Sequence, residues 1–434
     1  DDGVTVITIN LNGTTTGGDH PSHIHANNAA DGGAILVDLS NVDGETGTSV
    51  TEISTLNDGT GVTYNELINI DGYINVHLST SDLVTLVAQG DVGTNVMTGN
   101  SQSYPLEAKS DPNISGTATF AERLNGETLV TVELNGTTTG GDHPSHIHSN
   151  TAVEGGGIAV DLTNVNGETG LSLTNIDQLN DGTMVAYSDL IGFDGYINVH
   201  LSATDLATLV AQGDIGQNAF TGSSEEYMLF SKSDPNISGT ATFAERVNGE
   251  TLVTLELEGT IGTGDHPSHI HANTAVEGGG IAVDLQNVDG TSVISATNIS
   301  ELNDGTAITY AEMLDFNGYI NVHLSAADLA TLVAQGDIGQ NKLTENFVVY
   351  PLTSISDPGI SGNATFAQRK NGFTLITIQL DGTSPGGNHP SHIHENDAAT
   401  GGGILLSLTT VDGANGISQT SASMLDDGTA ITYD

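Results

Sequence analysis

Apolar and polar residues alternate along much of the chain. GTATFAER (Gly116–Arg123) and TLVTVELNGT (Thr128–Thr137) follow a period of two, the pattern of strands with one buried face. Asn125-Gly126 lies between them and is a strong hairpin signal. GGIAVDLTNV (Gly156–Val165) and GYINVHLS (Gly195–Ser202) read as further strands. One stretch departs from the pattern. ATDLATLVAQGD (Ala203–Asp214) sets Leu206, Leu209 and Val210 at helical spacing with Gly213 placed to end a turn of helix, which predicts one short helix. One helix among roughly seven or eight short strands predicts an all-β fold, an Ig-like Greek-key β-sandwich.

The pattern repeats. HPSHIH begins at His20, His143, His266 and His389, and GYINVHLS carries His77, His200 and His323, every step being 123 residues. Arg123, Arg246 and Arg369 keep the same step, as do Tyr104, Tyr227 and Tyr350. The chain therefore divides into four copies: residues 1–100 without the opening strand, 101–223 and 224–346 complete, and 347–434 without the last third. Entry and exit out of phase predict open sheet edges, which seek partners. The expectation is head-to-tail self-association, or continuation of a longer repeat chain.

Composition narrows the function. Acidic residues number 54 against 7 Lys plus Arg, a formal net charge of −47. A nucleic-acid partner needs clustered cations, and an anionic membrane surface does too. Neither is expected, and no apolar run approaches the ~20 residues of a membrane span. There is no cysteine, so no disulfide staples the copies. Scarce Lys with abundant Asp, Asn, Gly and Thr suggests a secreted or cell-surface protein.

In order and spacing, YPLEAKSDPNISGTATF (Tyr104–Phe120), SHIH (Ser145–His148), GGGIAVDL (Gly155–Leu162), GYINVH (Gly195–His200) and GDIGQN (Gly213–Asn218) resemble the CHRD (chordin-type) domain of bacterial secreted and surface proteins. The resemblance spans the whole 123-residue unit. It implies a sandwich fold and an extracellular setting. The family's Arg in the GEIRGQ strand is absent here, and the predicted helix would be inserted just before that strand.

All 15 histidines lie in the two motifs. His146 and His148, two apart on a strand, share a face. Pro144 bends the chain so that His143 can swing to the same side, and His200 joins if its strand is adjacent. Such a cluster suits Cu or Zn, one ion per repeat. The candidate ligands are His20, His23, His25 and His77; His143, His146, His148 and His200; His266, His269, His271 and His323; and His389, His392 and His394. Asp142, with Asp19 and Asp265 in sister copies and Asn388 in the last, is the candidate to orient a ligand. The bland alternative is that the histidines only pack and hydrogen-bond across strands.

The Asp-rich stretches LNDGT (Leu179–Thr183), GFDGY (Gly192–Tyr196) and KSDPNIS (Lys109–Ser115) make Ca a possible second ion, although turn chemistry also explains them. Sequons stand at Asn113, Asn135 and Asn236. Arg123, beside Glu122, is either a partner-binding cation or a structural ion pair within the acidic domain. These features predict an extracellular structural repeat protein forming a surface or matrix filament. The alternatives are a metal-binding adhesin or scavenger, and a copper enzyme similar to Cu,Zn superoxide dismutase in its H-x-H motif. Too few histidines for two metals, no disulfide and a negative field argue against catalysis, and no enzyme activity is expected.

Overall fold

A computed structural model describes residues 3–138, 140–259 and 264–434. The described residues are all-β with four sheets, and the chain divides into two compact units, residues 1–219 and 220–434. Each unit holds one eight-stranded and one six-stranded sheet. No helix among the described residues is long and apolar enough to cross a membrane.

The first eight-stranded sheet is built from β1 (Met97–Ala108), β2 (Ser115–Arg123), β3 (Thr128–Asn135), β4 (Asp142–Ser149), β5 (Ile158–Asn166), β6 (Leu171–Ile176), a five-residue helix α1 (Tyr187–Ile191), β7 (Asp194–Ser202) and β8 (Asp205–Gly216). The strand order is β5-β4-β7-β8-β1-β2-β3-β6. The sheet is continuous because β1 changes partner along its length. Residues Ser101–Leu106 pair with β2, while Glu107 and Ala108 pair with β8. The two edges, β5 and β6, are consecutive in sequence, and their equivalents in the first sheet pair at Asp43 and Thr48. Each eight-stranded sheet is thus nearly barrel-shaped. The strands Met97–Ala108, Phe220–Ser231 and Leu343–Leu352 run across the repeat boundaries read at 100/101, 223/224 and 346/347, so each sheet takes up its first strand a few residues earlier.

The β2–β3 hairpin forms as the pattern predicts, with Glu122 opposite Thr128 and Gly126 at φ +87° in the turn. Phe120, Val130, Val132, Ile147, Ile197 and Val199 are wholly buried and form the centre of the core. Burying side chains of this size stabilises by about 1.5–3 kcal/mol each.

The predicted helix over 203–214 is a strand. In β8, His200 faces Leu209 while Val199 faces Ala211, so Val210 is an extra residue in the ladder. The bulge shifts the alternation by one, and the resulting spacing imitates a helical period. Gly213 serves a close approach and not a helix end, since a Cβ there would lie 2.1 Å from the Pro105 carbonyl oxygen. The helix sits earlier instead. Thr63 with Glu66 and Thr309 with Glu312 form capping boxes in the sister copies, a T-x-x-E signal present in the sequence.

Arg123 is an ion pair, with its partner in the preceding copy. Its side chain is fully buried; Nη1 donates to Asp91 Oδ2 (2.7 Å) and to the Asn95 carbonyl (2.5 Å), and Nε donates to Asn175 Oδ1 (2.8 Å). Arg369 repeats this with Asp337 Oδ2 (2.6 Å) and the Asn341 carbonyl (2.5 Å). Neither guanidinium is exposed to a partner. Neighbouring Glu122 instead accepts from Thr98 and Asn100.

Candidate metal centre

β4 and β7 pair antiparallel, with His146 opposite Asn198, Ile147 opposite Ile197 and His148 opposite Tyr196. Ile147 enters the core, so His146 and His148 stand on the outer face. His200, two residues beyond Asn198, projects from that same face beside His146. One nitrogen from each of His146, His148 and His200 lies within 4.8 Å of the others, and His23, His25, His77 and His269, His271, His323 form the same group.

The second nitrogen of each ring has a neighbour. His148 Nδ1 donates to the Gly156 carbonyl (3.0 Å), which leaves Nε2 as an acceptor with no hydrogen-bond partner among the described residues. His200 Nδ1 donates to the Leu206 carbonyl (2.7 Å), so its Nε2 also faces the cluster unprotonated. His146 Nε2 lies 3.7 Å from Asp161 Oδ1, while its Nδ1 is 3.1 Å from His200 Nε2. Two nitrogens bound to one tetrahedral zinc at ~2.0–2.1 Å stand about 3.3 Å apart, so the spacing fits an ion. Metal-binding histidines commonly give their other N–H to a carbonyl or carboxylate, and this arrangement supplies those acceptors. Without an ion, the same pair is held by one proton shared along the 3.1 Å contact. The first copy differs in one respect: His77 Nδ1 has no such partner.

Gly156 organises one side of the site. Its carbonyl accepts from His148, and its N–H donates to the Tyr196 hydroxyl (3.2 Å), while the Tyr196 ring stacks on His148 at 4.9 Å between centroids. A Cβ on Gly156 would lie 1.9 Å from the Ser149 carbonyl oxygen.

Burial holds His146 and His200 below the usual histidine range. For His146 the next cause is repulsion from His200, partly offset by Asp161. For His200 the Leu206 carbonyl works against burial, and His148 works with it.

The first histidine of the motif does not join the group. His143 is two residues from Ser145, on the core-facing side of the strand, and Pro144 does not turn it outward. It is buried and donates from Nδ1 to the His200 carbonyl (3.1 Å). His20 and His266 do the same to His77 and His323, at 3.2 and 3.1 Å. In the fourth copy His389, His392 and His394 form no such group among the described residues. The candidate orienting residue Asp142 is also displaced: its sister Asp19 accepts from Asn41, and the carboxylate beside the cluster is Asp161. The strand register sets Asp161 directly opposite His146, a pairing that alternation along the chain does not reveal. In the fourth copy the equivalent position is Ser407, and the neighbouring position, Asn180 in the second copy, is Asp426. Asp161 is bonded by Asn180 (3.1 Å), and Ser407 donates to Asp426 (2.7 Å). The acid and its partner have exchanged places between the strand and the following turn, while a carboxylate stays near His392.

Two of the Asp-rich stretches spend their carboxylates locally, and in the third Asp194 accepts from Asn218 (2.7 Å). Asp181 accepts from the Thr183 N–H (2.8 Å) and Asp111 from the Asn113 N–H (2.9 Å).

No protein-family model, curated protein or solved structure matches the chain.

Proposed function

We propose that this chain is a structural repeat protein of the cell exterior that holds one copper or zinc ion in each of three histidine triads. The observation that carries the reading is the pair of preset acceptors, His148 Nε2 and His200 Nε2. Each is left unprotonated because its ring's other nitrogen is bound to a carbonyl. Three nitrogens without sulfur suit Cu(II) or Zn(II). The CHRD-like motif order and the acidic, Lys-poor composition support an extracellular setting. On this reading the nearly closed sheet is a Greek-key sandwich whose layers are joined where β1 changes partner. The buried Arg123–Asp91 pair ties the first copy to the second, as an array of stacked repeats requires.

The test is elemental analysis of the full chain after chelation, reloading with Zn(II) or Cu(II), and dialysis. Three ions per chain are expected, matching the three triads, and two after His148→Ala. Binding that ignores His148 would overturn the reading.

A further inference from the structure

Asn198 stands at the middle of the triad. It lies opposite His146, two residues from His200, and diagonal to His148. It is 8% exposed, and Asn75 and Asn321 match it at 8% and 7%. Its Oδ1 accepts from Gln212 Nε2 at 2.8 Å, and the Gln89–Asn75 and Gln335–Asn321 bonds have the same length. That bond consumes the amide oxygen and leaves the amide NH2 beside the histidines. In the third copy Asn321 Nδ2 comes within 3.4 Å of His271 Nε2. The His271 Nδ1–H is committed to the Gly279 carbonyl (3.0 Å), so Nε2 accepts, and the group facing it must be the amide nitrogen.

A metal site built only to be closed has no use for this donor. An amide N–H repels a cation and cannot ligate it. Three protein nitrogens leave at least one position of a four-coordinate ion free. On the metal reading proposed above, we infer that each triad takes a small anionic ligand in that free position, and that Asn75, Asn198 and Asn321 hydrogen-bond it. The ligand class is a small monoanion with an oxygen or nitrogen donor, such as azide, formate or acetate. Gln89, Gln212 and Gln335 are positioning residues that keep each amide turned. The net charge of −47 opposes every anion near the chain. At the triads a local donor counters that field, and the ion's own charge acts with it.

The test uses the full chain loaded with Cu(II), whose occupancy is first established by elemental analysis. Sodium azide is then titrated in, and its charge-transfer absorption is followed. The wild-type chain is expected to develop the band. The triple variant Asn75→Leu, Asn198→Leu, Asn321→Leu should keep its copper and bind azide about ten-fold more weakly, the worth of one hydrogen bond to a charged acceptor. The triple variant Gln89→Leu, Gln212→Leu, Gln335→Leu keeps every Asn but frees the amide to turn. It should weaken azide about three-fold, and it carries the test alone if the Leu-for-Asn chain does not fold. Copper-loaded wild type without an azide band would overturn the inference and leave the metal site standing. So would unchanged azide affinity in a copper-loaded variant. A wild-type chain that takes up no copper or zinc would overturn the metal reading itself, and the inference with it.

Discussion

His146 Nδ1 and His200 Nε2 lie 3.1 Å apart across neighbouring strands, and the sister pairs His23–His77 and His269–His323 repeat the contact at 3.2 Å. The contact joins two motifs that are 54 residues apart in the chain. It depends on the register that sets His146 opposite Asn198, because a slip of one residue would send the rings to opposite faces.

His200→Ala should abolish metal binding in its own copy and leave the other two triads loaded. His143→Ala should behave differently, since His143 stands outside the triad and hydrogen-bonds the His200 carbonyl. Loss of its buried ring should cost about 2–4 kcal/mol with metal stoichiometry unchanged. Isothermal titration and urea melts of both variants separate a ligand from a support. An ion lost with His143→Ala in a folded chain would return that residue to the ligand set.

Gly156→Ala should damage the site without touching a histidine. The added methyl meets the Ser149 carbonyl oxygen, so the peptide that holds both His148 and Tyr196 must shift. Metal affinity at that triad should fall about 10–100-fold, as for other residues that orient a ligand. Competition with a chromophoric chelator measures it, and an unchanged affinity would show that the Gly156 carbonyl does not matter.

Asp91→Ala should unfold the start of the second copy more readily than any exposed acid would. It strands the fully buried Arg123 guanidinium, and removing one partner of a buried pair costs about 3–5 kcal/mol. Replacing both residues, with Arg123→Met and Asp91→Leu, should recover part of that loss. Hydrogen exchange at Asn95 and Leu124 is the local readout. Equal protection in wild type and Asp91→Ala would contradict the assignment.

The metal-free chain should lose stability as pH falls below about 6.5. Burial holds His146, His200, His269 and His323 under that value in the folded state. The unfolded chain then binds more protons there, and stability rises with pH across the window between the two pKa values. Above it the contribution is flat. Carboxylates with lowered pKa, such as Asp205, act only below about pH 4, so melts at pH 7.5 and 5.5 isolate the imidazoles. Bound metal should steepen the fall, since protons compete for the same nitrogens. A midpoint equal at both pH values would count against the depressed imidazoles.

Much was legible in the chain. Alternation located β2, β3, β5 and β7, Asn-Gly located their hairpin, and the H-x-H spacing put His146 and His148 on one face. The expectations that fail depend on strand pairing. Over 203–214 a bulge that leaves Val210 without a partner on β7 gives a strand the spacing of a helix. His143 keeps the parity of Ile147 and so lies on the core side despite Pro144. Asp161, and not Asp142, meets His146 because the register sets the two opposite each other.

The sequence by itself determined the repeat, the strand content and which residue types gather in each copy, since these follow from periodicity and composition. Only the tertiary structure decided which nitrogens meet. Strand pairing brings residues 50 or more positions apart into contact, and a single bulge changes which of them face one another. The backing of His148 by Gly156, the exclusion of His143 and the place of Asn198 at the centre all rest on that register. Period-two alternation says which face a residue occupies but not which strand lies beside it.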